Sequence, residues 1–145
     1  MANYHLAILE KRYVEAILAG RKRIESRFGR TKRGGFGRVS TGDRLFLKEI
    51  SGPVRAVATA GAVKNFEGLT AEKITELKER YNEGIGAGER YWRSKADCRF
   101  GFLVWLEEVK AIEPVRVVKR DWRGWVVLTE QEDFGLIKAA GLEEA

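Results

Sequence analysis

"ILAGRKRIESRFGRTKRGGFGRVSTGDRLFLKE", Ile17 to Glu49, contains the changes of periodicity from which the fold is read. Its left end completes a helical stripe. Over Lys11 to Ala19, the residues Tyr13, Val14, Ile17 and Leu18 recur at helical spacing, and Gly20 suits the left-handed conformation that stops a helix. From Lys22 to Phe28 the pattern becomes alternation. Ile24, Ser26 and Phe28 fall on one side and Arg23, Glu25 and Arg27 on the other, which is the period of a strand. Gly29 to Thr41 is glycine-rich, basic and without period, and reads as a loop. Gly42-Asp43 then turns the chain into a second strand, Arg44–Ile50, where Leu45 and Leu47 alternate with Arg44, Phe46 and Lys48.

The same rules extend in both directions. Tyr4 to Lys11 opens with alternation: Leu6 and Ile8 share one face, and His5 and Ala7 share the other, which places His5 at the surface or a cleft edge. Ser51-Gly52-Pro53 is a hairpin turn, and the small residues of Val54–Val63 suggest a crowded barrel interior. Thr70 to Asn82 is the clearest helix, with Thr70 as N-cap and Leu69 and Ile74 placed for a hydrophobic staple. "GIGAGERYWRSKAD" reads as a flexible turn followed by a polar-aromatic segment. "FGFLVWLEEVKAIEPV" reads as a long strand or strand pair, and Val115–Val118 and Trp125–Leu128 as short strands, with Trp125 in the core. Thr129 and Glu132 form a capping box for a last helix at about 130–140. Short connections favour antiparallel pairing. The expectation is an α+β, mainly β chain: one domain over residues 1–145, a small barrel of about six mostly antiparallel strands with two to four flanking helices.

A chain of 145 residues can build a core without metal or disulfide. Cys98 is the only cysteine and His5 the only histidine, so a structural zinc site is not expected and no cofactor motif is present. A single free thiol suits a reducing cytosol, and a cytoplasmic location is expected. "MANYHLAILEKRY" resembles neither a signal peptide nor an anchor, and no apolar run reaches membrane-spanning length. The net charge is +6, unevenly placed: residues 1–64 hold 14 Lys/Arg against 5 Asp/Glu. That asymmetry points to an RNA or nucleotide partner.

The excess is concentrated in Ala19–Arg38. Arg21, Lys22, Arg23, Arg27, Arg30, Lys32, Arg33 and Arg38 are opposed there only by Glu25. Phe36 adds a face on which an unpaired base can stack. Arg90, Trp92 and Lys95 mix cations with an aromatic ring and are candidates for the opposite wall, with Trp92 favoured over Tyr91 as the pocket residue. The loop is not a P-loop, because it lacks the motif and leads into a strand. Lys22 and Glu25 also admit catalysis: metal-free RNA cleavage needs a base for the 2′-hydroxyl proton and cations for the phosphorane charge. Strict alternation points Lys22 away from Glu25, so their meeting requires a bulge or a strand that starts after Lys22. Glu25 alternatively pairs with Arg23 or Arg27 and holds their guanidiniums rigid. Glu83 and Glu89 are the nearest candidates for a second carboxylate.

"ILAGRKRIESRF" followed by "TGDRLFLKE" resembles the signature of the ASCH domain, within the superfamily of barrels similar to PUA. The pattern is a helix ending in Gly20, then Lys22, a polar residue at 25, Arg27 and a Gly42-Asp43 turn. The resemblance covers about Tyr4 to Val63 and is looser beyond. It implies a barrel with a cleft lined by the Lys22–Arg27 strand, and binding of RNA or modified nucleotides. One branch implies an amidohydrolase of acetylated cytidine with a Thr nucleophile three residues after the Lys. Glu25 occupies that position here, and a carboxylate cannot be activated as a hydroxyl is. The ribonuclease association of other relatives fits Glu25 better.

Overall fold

The computed structural model describes residues 3–117, 123–129 and 135–139. Six strands form one mixed, curled sheet: β1 (Tyr4–Leu9), β2 (Ile24–Gly29), β3 (Arg44–Glu49), β4 (Val54–Phe66), β5 (Phe100–Val115) and β6 (Trp125–Leu128). Their spatial order is β2-β5-β4-β3-β1-β6. β1 and β3 run parallel, and the other four pairings are antiparallel. The crossover helix between β1 and β3 that a parallel pair requires is α1 (Lys11–Leu18), which the chain follows with β2 at the far edge before returning.

The two long strands do most of the bending. β4 and β5 pair with three register shifts, and Glu108 within β5 has a positive φ of 48°. Each irregularity adds local twist, and the sheet curls into a half-barrel. Ala56 and Ala60 lie in the interior cluster with Ala7, Leu45, Leu47 and Val104, where short side chains let the walls approach. Val14 and Ile17 of α1 close that cluster from one end. The outer face of β2 and β5 is covered by α2 (Ala71–Ile85) and α3 (Glu89–Ser94), through Ile74, Leu77, Ile85 and Trp92 against Ile24 and Leu103. Leu136, in the short α4 (Leu136–Ala139), packs with Leu6, Phe46 and Val126. This is the mainly β, α+β architecture expected from the sequence.

Several sequence expectations hold in detail. Thr70 caps α2 by accepting from the Lys73 amide at 3.2 Å, and Leu69 and Ile74 are both buried. Gly20 ends the α1 turn at φ 80°. Others need correction. His5 is not outward-facing: it is fully buried, because β6 and the Asp43 turn close over it. The polar-aromatic segment after the turn that follows α2, given no element from sequence, is helical over Glu89–Ser94. β5 is one strand that ends at Val115, so no separate strand begins there, and Val118 lies outside the described residues, as do Trp122 and Glu132. Of the last helix, Leu136–Ala139 is described.

Candidate nucleic-acid interface

β2 begins at Ile24, two residues after Lys22, and this frees Lys22 from the strand's alternation. Lys22 turns inward beside Glu25, and both are nearly inaccessible, at 5% and 6% exposure. The Lys22 Nζ lies 3.4 Å from Glu25 Oε1 and donates to the carbonyls of Ile24 at 2.9 Å and Ile85 at 2.7 Å. Two of the ammonium's three hydrogens are thus taken by backbone carbonyls, and Glu25 pairs with its charge. Burial pushes the Lys22 pKa down, and the Glu25 charge offsets part of that.

Glu25 is equally committed. Its Oε1 accepts from the Ser26 amide at 3.1 Å, and its Oε2 accepts from Arg27 Nη2 at 2.9 Å. Burial alone would raise its pKa. The Arg27 and Lys22 charges and these hydrogen bonds outweigh burial and hold it below the ordinary carboxylate range. Arg27 carries the network across the gap between the sheet's ends. Its Nη2 also donates to Ile8 O at 2.9 Å and its Nη1 to Gly124 O at 3.2 Å. The guanidinium additionally lies 5.3 Å from the Trp125 ring centroid. One side chain from β2 thus bonds the backbone of β1 and the entry to β6, in place of a strand-to-strand ladder.

Arg27 and Phe28 line two cavities. The larger, about 690 Å³, is bounded by Arg27, Arg30, Arg33 and Arg123 and by the rings of Phe28, Phe36, Phe100, Phe102 and Trp125. That volume is in the range of ligand pockets, roughly 300–1,000 Å³. The smaller, about 430 Å³, is bounded by Lys22, Glu25, Ser26, Arg27, Tyr13, Tyr91, Lys95 and Glu10, with Ile50 among its apolar neighbours. In it Tyr91 Oη and Ser26 Oγ share a hydrogen bond of 2.8 Å. Burial raises the Tyr91 pKa, so the phenol is a neutral donor.

The basic residues named from sequence therefore divide. Arg27, Arg30 and Arg33 converge on the larger cavity and Lys22 and Lys95 on the smaller. Arg21, Arg23, Lys32, Arg38 and Arg90 are exposed and line neither. Arg23 lies 3.8 Å from Glu83, and Lys32 lies 2.7 Å from Glu67. Arg30 is paired with Asp97. Phe36 borders the larger cavity but is half-buried, edge-on to Phe100 at 5.8 Å. Trp92 does not line a cavity: it is 4% exposed and packs on Phe28, and Tyr91 takes the pocket position instead. Glu83 and Glu89 are exposed, and Glu89 pairs with Lys78. The second carboxylate at a cavity is Glu10, which bonds Arg12 at 2.6 Å.

Among the described residues no group of three or more His, Cys, Asp or Glu side chains could hold a metal ion, and no helix is long and apolar enough to cross a membrane. No protein-family model matches the sequence, and no curated protein matches it. Solved structures do. A crystal structure of an ASCH protein from Zymomonas mobilis superposes with a TM-score of 0.72 at 16% identity, over 93% of this chain and 94% of that one. A tyrosine-to-phenylalanine variant of that protein gives the same TM-score and identity over 93% and 96% of the two chains. A serine-to-alanine variant gives 0.71 over 93% and 94%.

Proposed function

From the premise that this chain has the fold of the ASCH domain, we propose that it binds single-stranded RNA, or a modified nucleotide within it, at the paired cavities that meet at Arg27. The observation that carries this reading is the larger cavity, where guanidiniums of Arg27, Arg30, Arg33 and Arg123 surround aromatic rings. Flat apolar faces accept unpaired bases, and guanidiniums at the rim accept phosphates. Arg33 supports phosphate contact further, since among the described residues its side chain bonds only the Thr31 hydroxyl.

The catalytic alternative centred on Lys22 and Glu25 is less well served. A general base should have a pKa near the working pH. Glu25 is displaced the other way and is held by two cations and an amide. Lys22 is buried, bonded to two backbone carbonyls and paired with Glu25. These two side chains instead fix Arg27 and the wall between the cavities.

The test is binding of a short fluorescein-labelled oligouridylate as a function of salt. About three phosphate contacts give a log–log slope near −2 for a single strand. A salt-independent signal removes the reading. Incubation of the same RNA, and of acetylated cytidine, with wild type and the Glu25→Gln variant addresses catalysis. Turnover by wild type that the variant lacks would restore Glu25 as a reacting group.

A further inference from the structure

Behind the wall of the larger cavity lies a buried chain of hydrogen bonds that the sequence reading did not anticipate. His5 Nε2 donates to Asp43 Oδ2 at 2.8 Å, and Trp125 Nε1 donates to His5 Nδ1 at 3.1 Å. The indole N–H requires a lone pair on Nδ1, so the imidazole is neutral and its proton sits on Nε2. Asp43 is itself fixed. Its Oδ1 accepts from the Asn3 amide at 3.0 Å and its Oδ2 from the Ser40 amide at 2.9 Å. The tautomer of His5 and the rotation of Trp125 are thereby both set from the Gly42-Asp43 turn.

Trp125 in turn supports the basic loop. A Cβ on Gly35 would fall 2.6 Å from Trp125 Nε1, and one on Gly34 would fall 2.9 Å from Trp125 Cβ. The loop tip between Arg33 and Phe36 therefore lies directly on the indole. The same nitrogen that Gly35 approaches is the one that His5 holds.

Resting on the RNA-binding reading above, we propose that His5 is a positioning residue for the nucleotide pocket: through Trp125 it seats the Gly34–Gly35 tip, and with it Arg33 and Phe36, only while its imidazole is neutral. Protonation places a hydrogen on Nδ1 facing the indole N–H, two donors with no acceptor between them. The contact must open, and Trp125 and the tip lose their fixed seat. The charged groups facing His5 are Asp43, which favours the imidazolium, and Arg38 from the basic loop, which opposes it. Arg27 stands one layer further out, across the Trp125 ring. Burial is the largest influence and lowers the His5 pKa below 6.5. The consequence runs against the general trend, in which acid strengthens binding of a polyanion.

The experiment follows the indole N–H of Trp125 and the amides of Gly34 and Gly35 by proton–nitrogen correlation NMR, from neutral pH down to the lowest pH at which the protein stays folded. The Trp125→Phe variant identifies the indole signal. The three signals are expected to titrate together in wild type and to stay fixed in the His5→Asn variant, which has an acceptor but no titrating ring. In parallel, affinity for the labelled oligouridylate is expected to fall at least about fivefold over the same range in wild type, the low end of coupling between linked sites. His5→Asn should show no such fall. A pH-invariant Trp125 indole in the folded protein overturns the proposal. So does a titrating indole with stationary Gly34 and Gly35 amides, or loss of the whole spectrum in one step, which would make His5 a global stability element. Absence of RNA binding at every pH refutes the RNA reading alone, because the NMR titration reports the linkage without RNA.

Discussion

Lys22 Nζ and Glu25 Oε1 stand 3.4 Å apart beside the smaller cavity, and both side chains are nearly inaccessible to solvent. A buried charge pair of this kind is costly to break from one side, because the partner is left uncompensated, at about 3–5 kcal/mol. Glu25→Gln removes the charge that both Lys22 and Arg27 face. A loss of about 3 kcal/mol in urea unfolding is expected, without a change of slope. Combining it with Lys22→Met should recover part of the loss, since the double variant no longer buries an unpaired ammonium. A double variant as unstable as the sum of the singles would show that the two charges are independent.

Acid should act on stability in two steps, both of the same sign. His5 has a folded pKa below 6.5, so its neutral form is favoured by folding. Its contribution is complete above 6.5 and is lost as pH falls through the folded value. Glu25 lies below its ordinary 4.5, so its contribution is complete above that and is lost at still lower pH. Thermal midpoints measured from neutral pH downward should decline first below 6.5 and again below 4.5. In His5→Asn the first decline should vanish while the second persists.

The loop tip is tested from its own side by Gly35→Ala. The added carbon would meet Trp125 Nε1 at 2.6 Å, Trp125 Cε2 at 2.7 Å and Phe102 Cζ at 3.0 Å. Two of these atoms belong to a ring held by His5 and packed edge-on against Phe102 at 5.2 Å, so the loop must move instead. A stability loss of about 1–3 kcal/mol is expected, with weaker RNA binding. Gly88→Ala meets nothing within 4 Å and serves as the control. Equal RNA affinity in both variants would show that the tip's seat on Trp125 is irrelevant to the ligand.

Local periodicity made the outline legible. The switch from helical spacing to alternation at Gly20–Lys22 located α1 and β2, and Thr70 with Leu69 and Ile74 located α2. Alternation also named the right face-mates in β1. It could not say whether a face is covered, and His5 was misplaced for that reason: what buries it is β6, 120 residues away in sequence. α3 has six residues, too few for a period to show which of Tyr91 and Trp92 turns inward. The site itself depends on long-range meetings. Arg27 reaches Gly124, Phe102 reaches Trp125, and Phe100 and Arg123 line the same cavity, Arg123 from a segment without pattern. The role of Arg27 in bridging the sheet's ends has no local signature at all.

The division of the basic residues gives the last prediction. Arg30 and Arg33 both border the larger cavity, but Arg30 is paired with Asp97, whereas Arg33 has no carboxylate partner among the described residues. Arg21 borders neither cavity. If phosphates are bound at the cavity rim, Arg33→Ala should weaken oligouridylate binding and reduce the magnitude of the salt slope by about 0.7, the share of one phosphate contact on a single strand. Arg21→Ala, which removes the same charge elsewhere, should leave the slope within error of wild type. Asp97→Asn should act in the opposite direction, since it releases Arg30 from its exposed ion pair and makes that guanidinium available. The three variants share a readout and differ in sign. Equal effects of Arg33→Ala and Arg21→Ala would mean that RNA responds to net charge rather than to this cavity. A tighter complex from Asp97→Asn alongside a weaker one from Arg33→Ala places the phosphates at the rim between residues 30 and 33.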